Sequence, residues 1–163
     1  LLDHNPKSFR MLVSSGASKT DLYDTITRAM AKAGYSMNAA AVHLAKDISN
    51  LCILFQSYAN TPNIQIRLEI IDDDACRKFH SDFVTIRLIT TYSGPGTQWI
   101  DADVSNIPTS ISDDAINEMA AGDVGLFKGR QATSNPVIHR SPPIEGTRQK
   151  RLVLVLNPEE EDW

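Results

Sequence analysis

The segment Phe79-His80-Ser81-Asp82-Phe83 sets an imidazole and a carboxylate two residues apart. In an extended backbone, residues two apart project to the same side. His80 and Asp82 can therefore grip one cation as neighbouring ligands. A third donor must come from elsewhere in the chain, and His139, at the end of a predicted short strand, is the candidate. Two imidazoles and one carboxylate on one face of a metal leave the opposite coordination positions open. His-x-Asp also arises by chance, and without a metal these side chains would be ordinary hydrogen-bonded residues and a turn cap. Cys76 precedes His80 closely enough to approach the same ion. Its thiolate would favour zinc, and a Cys, His, Asp, His set could close a tetrahedral site; otherwise Cys76 is a small buried thiol.

Those donors need a scaffold, and the chain changes character near residue 61. Before it the apolar pattern is helical. Ser18 or Thr20 can cap a first helix that runs to about Ala33, where Gly34 is a natural stop. Leu22, Ile26, Ala29, Met30 and Ala33 recur there at helical spacing. A second helix spans about Asn38 to Tyr58, with Ala41, Leu44, Ile48, Leu51, Phe55 and Tyr58 as its stripe. His43 lies off that stripe and reads as solvated, Cys52 reads as core, and His4 is assigned no role.

Thr61-Pro62-Asn63 breaks the helix. Ile64 to Ile70 alternates with period two, which predicts a strand with one apolar face. Asp72-Asp73-Asp74 reads as a solvated end to it, since nothing after it resembles a calcium loop. Further strands are predicted at Val84–Tyr92, Trp99-Ile100, Val124–Phe127, Val137-Ile138 and Arg151–Asn157. The last is apolar without interruption from Leu152 to Leu156, the pattern of a strand buried on both faces. Ser93-Gly94-Pro95-Gly96 is a turn, and Ser112-Asp113-Asp114 is expected to open a short helix. Short strands punctuated by Gly and Pro suggest a sandwich or barrel. The expected class is mainly β with N-terminal helices (α+β), a double-stranded β-helix or cupin-like jelly roll. We expect one domain over 1–163, with 18–60 as helical support and 61–158 as the jelly-roll core.

Composition sets the outer limits. The chain has 163 residues, 42% hydrophobic and 22% charged, ordinary for a globular protein. Sixteen basic against 20 acidic side chains give a net charge of −4, which argues against a nucleic-acid partner. Two cysteines are too few for a disulfide scaffold. No apolar stretch is long enough to span a bilayer, and no signal peptide is legible, so the expected location is the cytoplasm. The chain begins with Leu, so a targeting segment could precede it.

The order of pieces after His80 carries a resemblance. His80-Ser81-Asp82 is followed by the strand Val84–Tyr92, the turn Gly94-Pro95-Gly96, and Gly122-Asp123-Val124-Gly125-Leu126-Phe127. Then come His139 and Lys150-Arg151-Leu152-Val153. From His80 to Pro158 this resembles the Fe(II)/2-oxoglutarate dioxygenase superfamily; residues before 61 do not share the likeness. More narrowly, Cys76–His80, Arg87–Trp99 and His139-Arg140-Ser141-Pro142-Pro143 look like a bacterial family of domains of unknown function, often associated with metal homeostasis, especially zinc.

The superfamily resemblance implies Fe(II) held by His80, Asp82 and His139, with 2-oxoglutarate as cosubstrate. It also implies a basic residue for that cosubstrate's far carboxylate, which an Arg binds bidentately. Arg151 opens the last strand and is preferred; Arg148 is the alternative, and a solvated cation is the bland reading of either. Tyr92, Trp99 and Phe127 are candidate pocket walls, or equally core residues. The leading expectation is an oxygenase acting on a small-molecule or protein substrate. A non-catalytic zinc-binding protein using Cys76 and a metal-free interaction module built on the two helices are the alternatives.

Overall fold

A computed structural model describes residues 5–159. Among them are eight strands and two helices: β1 (Phe9–Ser14), α1 (Lys19–Lys32), α2 (Ala39–Gln56), β2 (Asn63–Ile71), β3 (Ile86–Ser93), β4 (Gln98–Ile100), β5 (Asn117–Glu118), β6 (Val124–Lys128), β7 (Ile138–Arg140) and β8 (Arg151–Pro158). The class is mainly β with two helices, as expected. The chain divides into two compact units. One takes residues up to Glu69 and those from Leu154 onward; the other is Ile70–Val153.

In the first unit, Ser18 caps α1 by accepting from the Asp21 amide, and Gly34 ends the turn after it at φ +88°. Asn38 caps α2 through the Ala41 amide. The expected stripe of α2 is buried at Ala41, Leu44, Ile48, Leu51 and Phe55, with Cys52 beside it, whereas Tyr58 is exposed and follows the helix end. Burial pushes the Cys52 thiol up to about 12. His43 is solvated, as its place off the stripe implied.

The strands of this unit lie in the order β1-β2-β8. β1 was not anticipated. It pairs antiparallel with β2, Phe9 opposite Leu68 and Val13 opposite Ile64. Its signal was present in the alternation Phe9, Met11, Val13, which is short and interrupted by Leu12. On β2, Ile64, Ile66 and Leu68 are fully buried, and Gln65 is buried too because Asn157 donates to its side-chain oxygen at 3.0 Å.

In the second unit β8, β3 and β6 are neighbours in that order, and β5, β4 and β7 form a second, antiparallel sheet. All eight residues of β8 are buried, which accounts for its unbroken apolar run. The short helix expected from Ser112 is a single 3₁₀ turn, Asp113–Ala115. The chain then pairs as β5 with β4, Asn117 opposite Trp99. Three residues cannot repay helix nucleation, so the strand partner wins. Among the described residues no helix is long and apolar enough to cross a membrane.

Candidate metal centre

His80 and His139 are joined before their side chains meet. Each amide donates to the other's carbonyl, at 3.0 and 2.9 Å, in an isolated antiparallel bridge. Directly opposed residues in such a pair project from the same face, and the two rings lie 4.7 Å apart. Trp99 is the partner of His139 on the other side, so it belongs to the same face. Asp82 comes up from the loop after His80. Its Oδ2 stands 3.2 Å from His139 Nε2 and its Oδ1 3.7 Å from His80 Nε2. One donor atom from each of the three residues falls within 4.8 Å of the others.

Each ring is held by its remaining nitrogen. His80 Nδ1 lies 2.8 Å from the Lys78 carbonyl and His139 Nδ1 3.3 Å from that of Val137. A carbonyl only accepts, so each Nδ1 carries the proton and donates. That leaves the Nε2 lone pair of the neutral ring free to ligate. The loop bearing Asp82 is clamped from 129–131. The Arg130 amide donates to the Asp82 carbonyl at 2.9 Å, Arg130 Nε to Ser81 Oγ at 2.6 Å, and the Gln131 amide to the Val84 carbonyl at 3.1 Å. Gly129 makes this approach possible, since a Cβ there would collide with the Val84 carbonyl oxygen.

Arg87 of β3 was missed as a site residue. Its guanidinium reaches Asp82 Oδ2 at 2.7 Å. The only sequence signal was the one charged residue in a strand rich in β-branched side chains. Burial is the largest influence on the Asp82 carboxyl and opposes its ionisation. In the metal-free site a hydrogen bond from the His139 ring, the Arg87 charge and the charges of the two rings when protonated outweigh it, holding the group below the ordinary carboxylate range; once both Nε2 atoms are deprotonated to ligate, Arg87 is the cation that remains beside it. Asp82 Oδ2 is buried, and its partners are the ion-pair contacts with Arg87 and His139 rather than a well-aligned hydrogen bond. Two imidazoles tethered through Nδ1 and an ionised carboxylate, with one donor atom each within 4.8 Å of the others, fit a divalent transition metal.

Arg151 is the largest fully buried side chain among the described residues. Its Nε donates to the Pro95 carbonyl at 2.8 Å, and Nη2 reaches the Thr97 and Thr91 hydroxyls at 3.3 and 3.4 Å. All three acceptors are neutral, and among the described residues no carboxylate pairs with it. Burial lowers its pKa and outweighs the charge of Glu118, which acts in the other direction. The glycines of the Gly-Pro-Gly turn permit close packing here. A Cβ on Gly94 would collide with the Lys150 carbonyl and lie 3.1 Å from Arg151 Cα, and one on Gly96 would overlap the Met119 carbonyl. A buried guanidinium with no carboxylate within 4 Å among the described residues fits an anionic partner.

The other expected residues separate into two groups. Phe127 is buried, and its ring meets His139 edge-on at 5.0 Å. Together with Trp99, it lines a cavity of about 480 Å³. Tyr92 is half-buried and does not line that cavity. Cys76 and Arg148 form the second group, both on the surface. Cys76 is exposed at φ +61°, outside the three-donor group. Arg148 is exposed at φ +63°. His4 lies outside the described residues.

Fold and site together define a two-helix, mainly β protein with a His-Asp-His group. The chain belongs to the family described as "Protein of unknown function (DUF1826)", whose family model matches residues 1–157. No curated protein matches it. Among solved structures, it is similar to a full-length Neurospora crassa protein in complex with alpha-KG and 5-formyluracil. That likeness has 11% identity and a TM-score of 0.44, over 93% of this chain and 56% of that one. A second structure of the same Neurospora crassa protein, with alpha-KG, gives 12% and 0.43 over 93% and 54%. The chain thus spans about half the length of these neighbours.

Proposed function

We propose that this protein is an Fe(II)/2-oxoglutarate-dependent oxygenase on a double-stranded β-helix, with His80, Asp82 and His139 as the metal ligands. The observation that carries the reading is the tethering of both imidazoles through Nδ1, which turns both Nε2 atoms into acceptors beside a buried carboxylate. Three protein ligands leave positions for a chelating cosubstrate and dioxygen. Bound iron and 2-oxoglutarate would supply the oxidising power for hydroxylation; the chain binds, orients and shields them. Arg151 pairs with the far carboxylate of the cosubstrate, and Thr91 and Thr97 hold the guanidinium in place. Arg87 fixes the rotamer of Asp82, and Phe127 packs the His139 ring. The substrate is a small molecule or a protein, and Trp99 forms part of its wall. A closed zinc site needs a fourth protein donor, and the position of Cys76 favours the open one.

The test is elemental analysis of protein purified anaerobically without a metal-affinity tag. Titration with Fe(II) and 2-oxoglutarate follows, monitored at the visible charge-transfer band of the chelate. One iron per chain and a band absent from His139→Ala are expected. Stoichiometric zinc with no band on iron loading would overturn the oxygenase reading.

A further inference from the structure

The small sheet β5-β4-β7 has a second face. Because Trp99 and His139 share one side of it, Gln98 and its partner Arg140 share the other. Phe79, next to His80, lies with them: the Arg140 guanidinium stacks over its ring at 4.4 Å, and Arg140 Nε donates to Gln98 Oε1 at 2.8 Å. A cavity of about 790 Å³ opens on this side, lined in part by Phe79 and Arg140. That volume is within the range of small-molecule sites.

Its lining is chemically lopsided. Arg77, Lys78 and Arg140 contribute three cations, and Asp113 is the only acid among the lining residues. This runs against the net charge of −4 carried by the chain. The cations are weakly engaged. Arg77 reaches Asp74 only at 3.7 Å, the Lys78 side chain makes no ion pair among the described residues, and Arg140 uses Nε alone in its bond to Gln98. Much of the rest is apolar, including Ile107, Ile111 and Ile116.

We propose that this cavity binds an amphipathic organic anion, an acid headgroup on an apolar body, at a site separate from the metal centre. The headgroup is held by Lys78 with Arg77 and Arg140, and the body lies along the isoleucines and Phe79. The site abuts the metal ligands through the backbone, because Lys78 supplies the carbonyl that orients His80 and Arg140 follows His139.

The proposal does not depend on the oxygenase reading, and its test uses the whole chain with octanoate, octylammonium and octanamide as probes in titration calorimetry. One octanoate per chain is expected, with at least tenfold weaker binding of the cation and the amide. Lys78→Ala should weaken octanoate about five- to tenfold, and Ile116→Glu, which adds an acid to the lining, should abolish its binding. His139→Ala, which removes a metal ligand, should leave octanoate affinity unchanged. Equal affinity for the three probes overturns the proposal, as does undiminished binding in both Lys78→Ala and Ile116→Glu with circular dichroism unaltered. Loss of octanoate in His139→Ala would place the anion at the metal centre and overturn it too.

Discussion

Replacing Arg151 by Met separates what the buried guanidinium does for the fold from what it does for a ligand. In the ligand-free protein the two consequences oppose. Met removes three hydrogen bonds to Pro95, Thr91 and Thr97, each worth about 1 kcal/mol. It also removes a buried charge with no counter-ion, and an apolar replacement of buried charges often stabilises by about 1–4 kcal/mol. The ligand-free melting temperature should therefore move little. The bound state should change greatly. Truncating one partner of a buried charge pair costs about 2–5 kcal/mol, or roughly 30-fold to several thousand-fold in affinity. At a 2-oxoglutarate concentration about 100 times the wild-type Kd, binding stabilises by about 2.7 kcal/mol. At roughly 2–4 °C per kcal/mol for a chain of this size, the wild type should gain about 5–10 °C. A 30-fold loss of affinity leaves a concentration only about three times Kd, and the gain falls to roughly 2–3 °C. The assay is differential scanning fluorimetry of the anaerobic Mn(II) or Fe(II) protein with and without 2-oxoglutarate. An undiminished shift in Arg151→Met refutes the reasoning and leaves Arg151 as a tie between β8 and the Gly94–Gly96 turn.

His80→Ala should lower metal stoichiometry while Cys76→Ala leaves it unchanged, as read by elemental analysis; loss of metal in the Cys76 variant would revive a four-ligand zinc site. Gly129→Ala puts a methyl group against the Val84 carbonyl. It should cost about 1–3 kcal/mol in chemical denaturation and weaken metal binding, since the displaced segment carries Asp82. Asp74 accepts from the Glu145 and Ile144 amides, both at 2.8 Å. These bonds, and then Arg77, hold its carboxyl below the ordinary 3.8. A depressed carboxylate adds stability that is present above the unfolded-state value and is lost as pH falls through the folded one. Asp74→Asn should therefore flatten the acid limb of a stability–pH profile below about pH 4, and an unchanged acid limb would contradict the role given to these bonds.

What could be read from the sequence was what local physics decides. Ser18, Asn38 and Gly34 carry their own capping chemistry, and the stripe from Ala41 to Phe55 needs only one neighbour to be buried. The same holds for β8, whose apolar run already implied two covered faces. What failed depended on partners remote in the chain. β1 is a strand because β2 offers an edge, and the turn after Ser112 gives way to β5 because β4 does. Asp74 looked like one of three solvated acids. Its carboxylate in fact ties down the loop at Ile144 and Glu145, a contact no local pattern announces.

The site divides along the same line. His80 and Asp82 are close in sequence, and their common side follows from two-residue spacing. His139 was reached only through the order of elements around it. Arg87 was not reached, because an Arg in a strand gives no sign of which carboxylate it meets. Arg87 is also what makes the centre more than a list of ligands. It shares Asp82 Oδ2 with His139, so the carboxylate is ionised and aimed before any metal arrives. The resulting charge of the three ligands and Arg87 together is zero with both imidazoles neutral. A divalent ion entering there meets a carboxylate already partly neutralised, which weakens its hold relative to a site without Arg87. Arg87→Met should then tighten Mn(II) binding if the rotamer of Asp82 survives and loosen it if Arg87 is what fixes that rotamer. The burial of Asp82, with an exposure of 12%, favours the second outcome. An uncompensated carboxylate in that position can be protonated or swing toward water, and either change removes one of only three ligands. Tighter Mn(II) binding by Arg87→Met in a calorimetric titration would show that packing alone holds Asp82 in place.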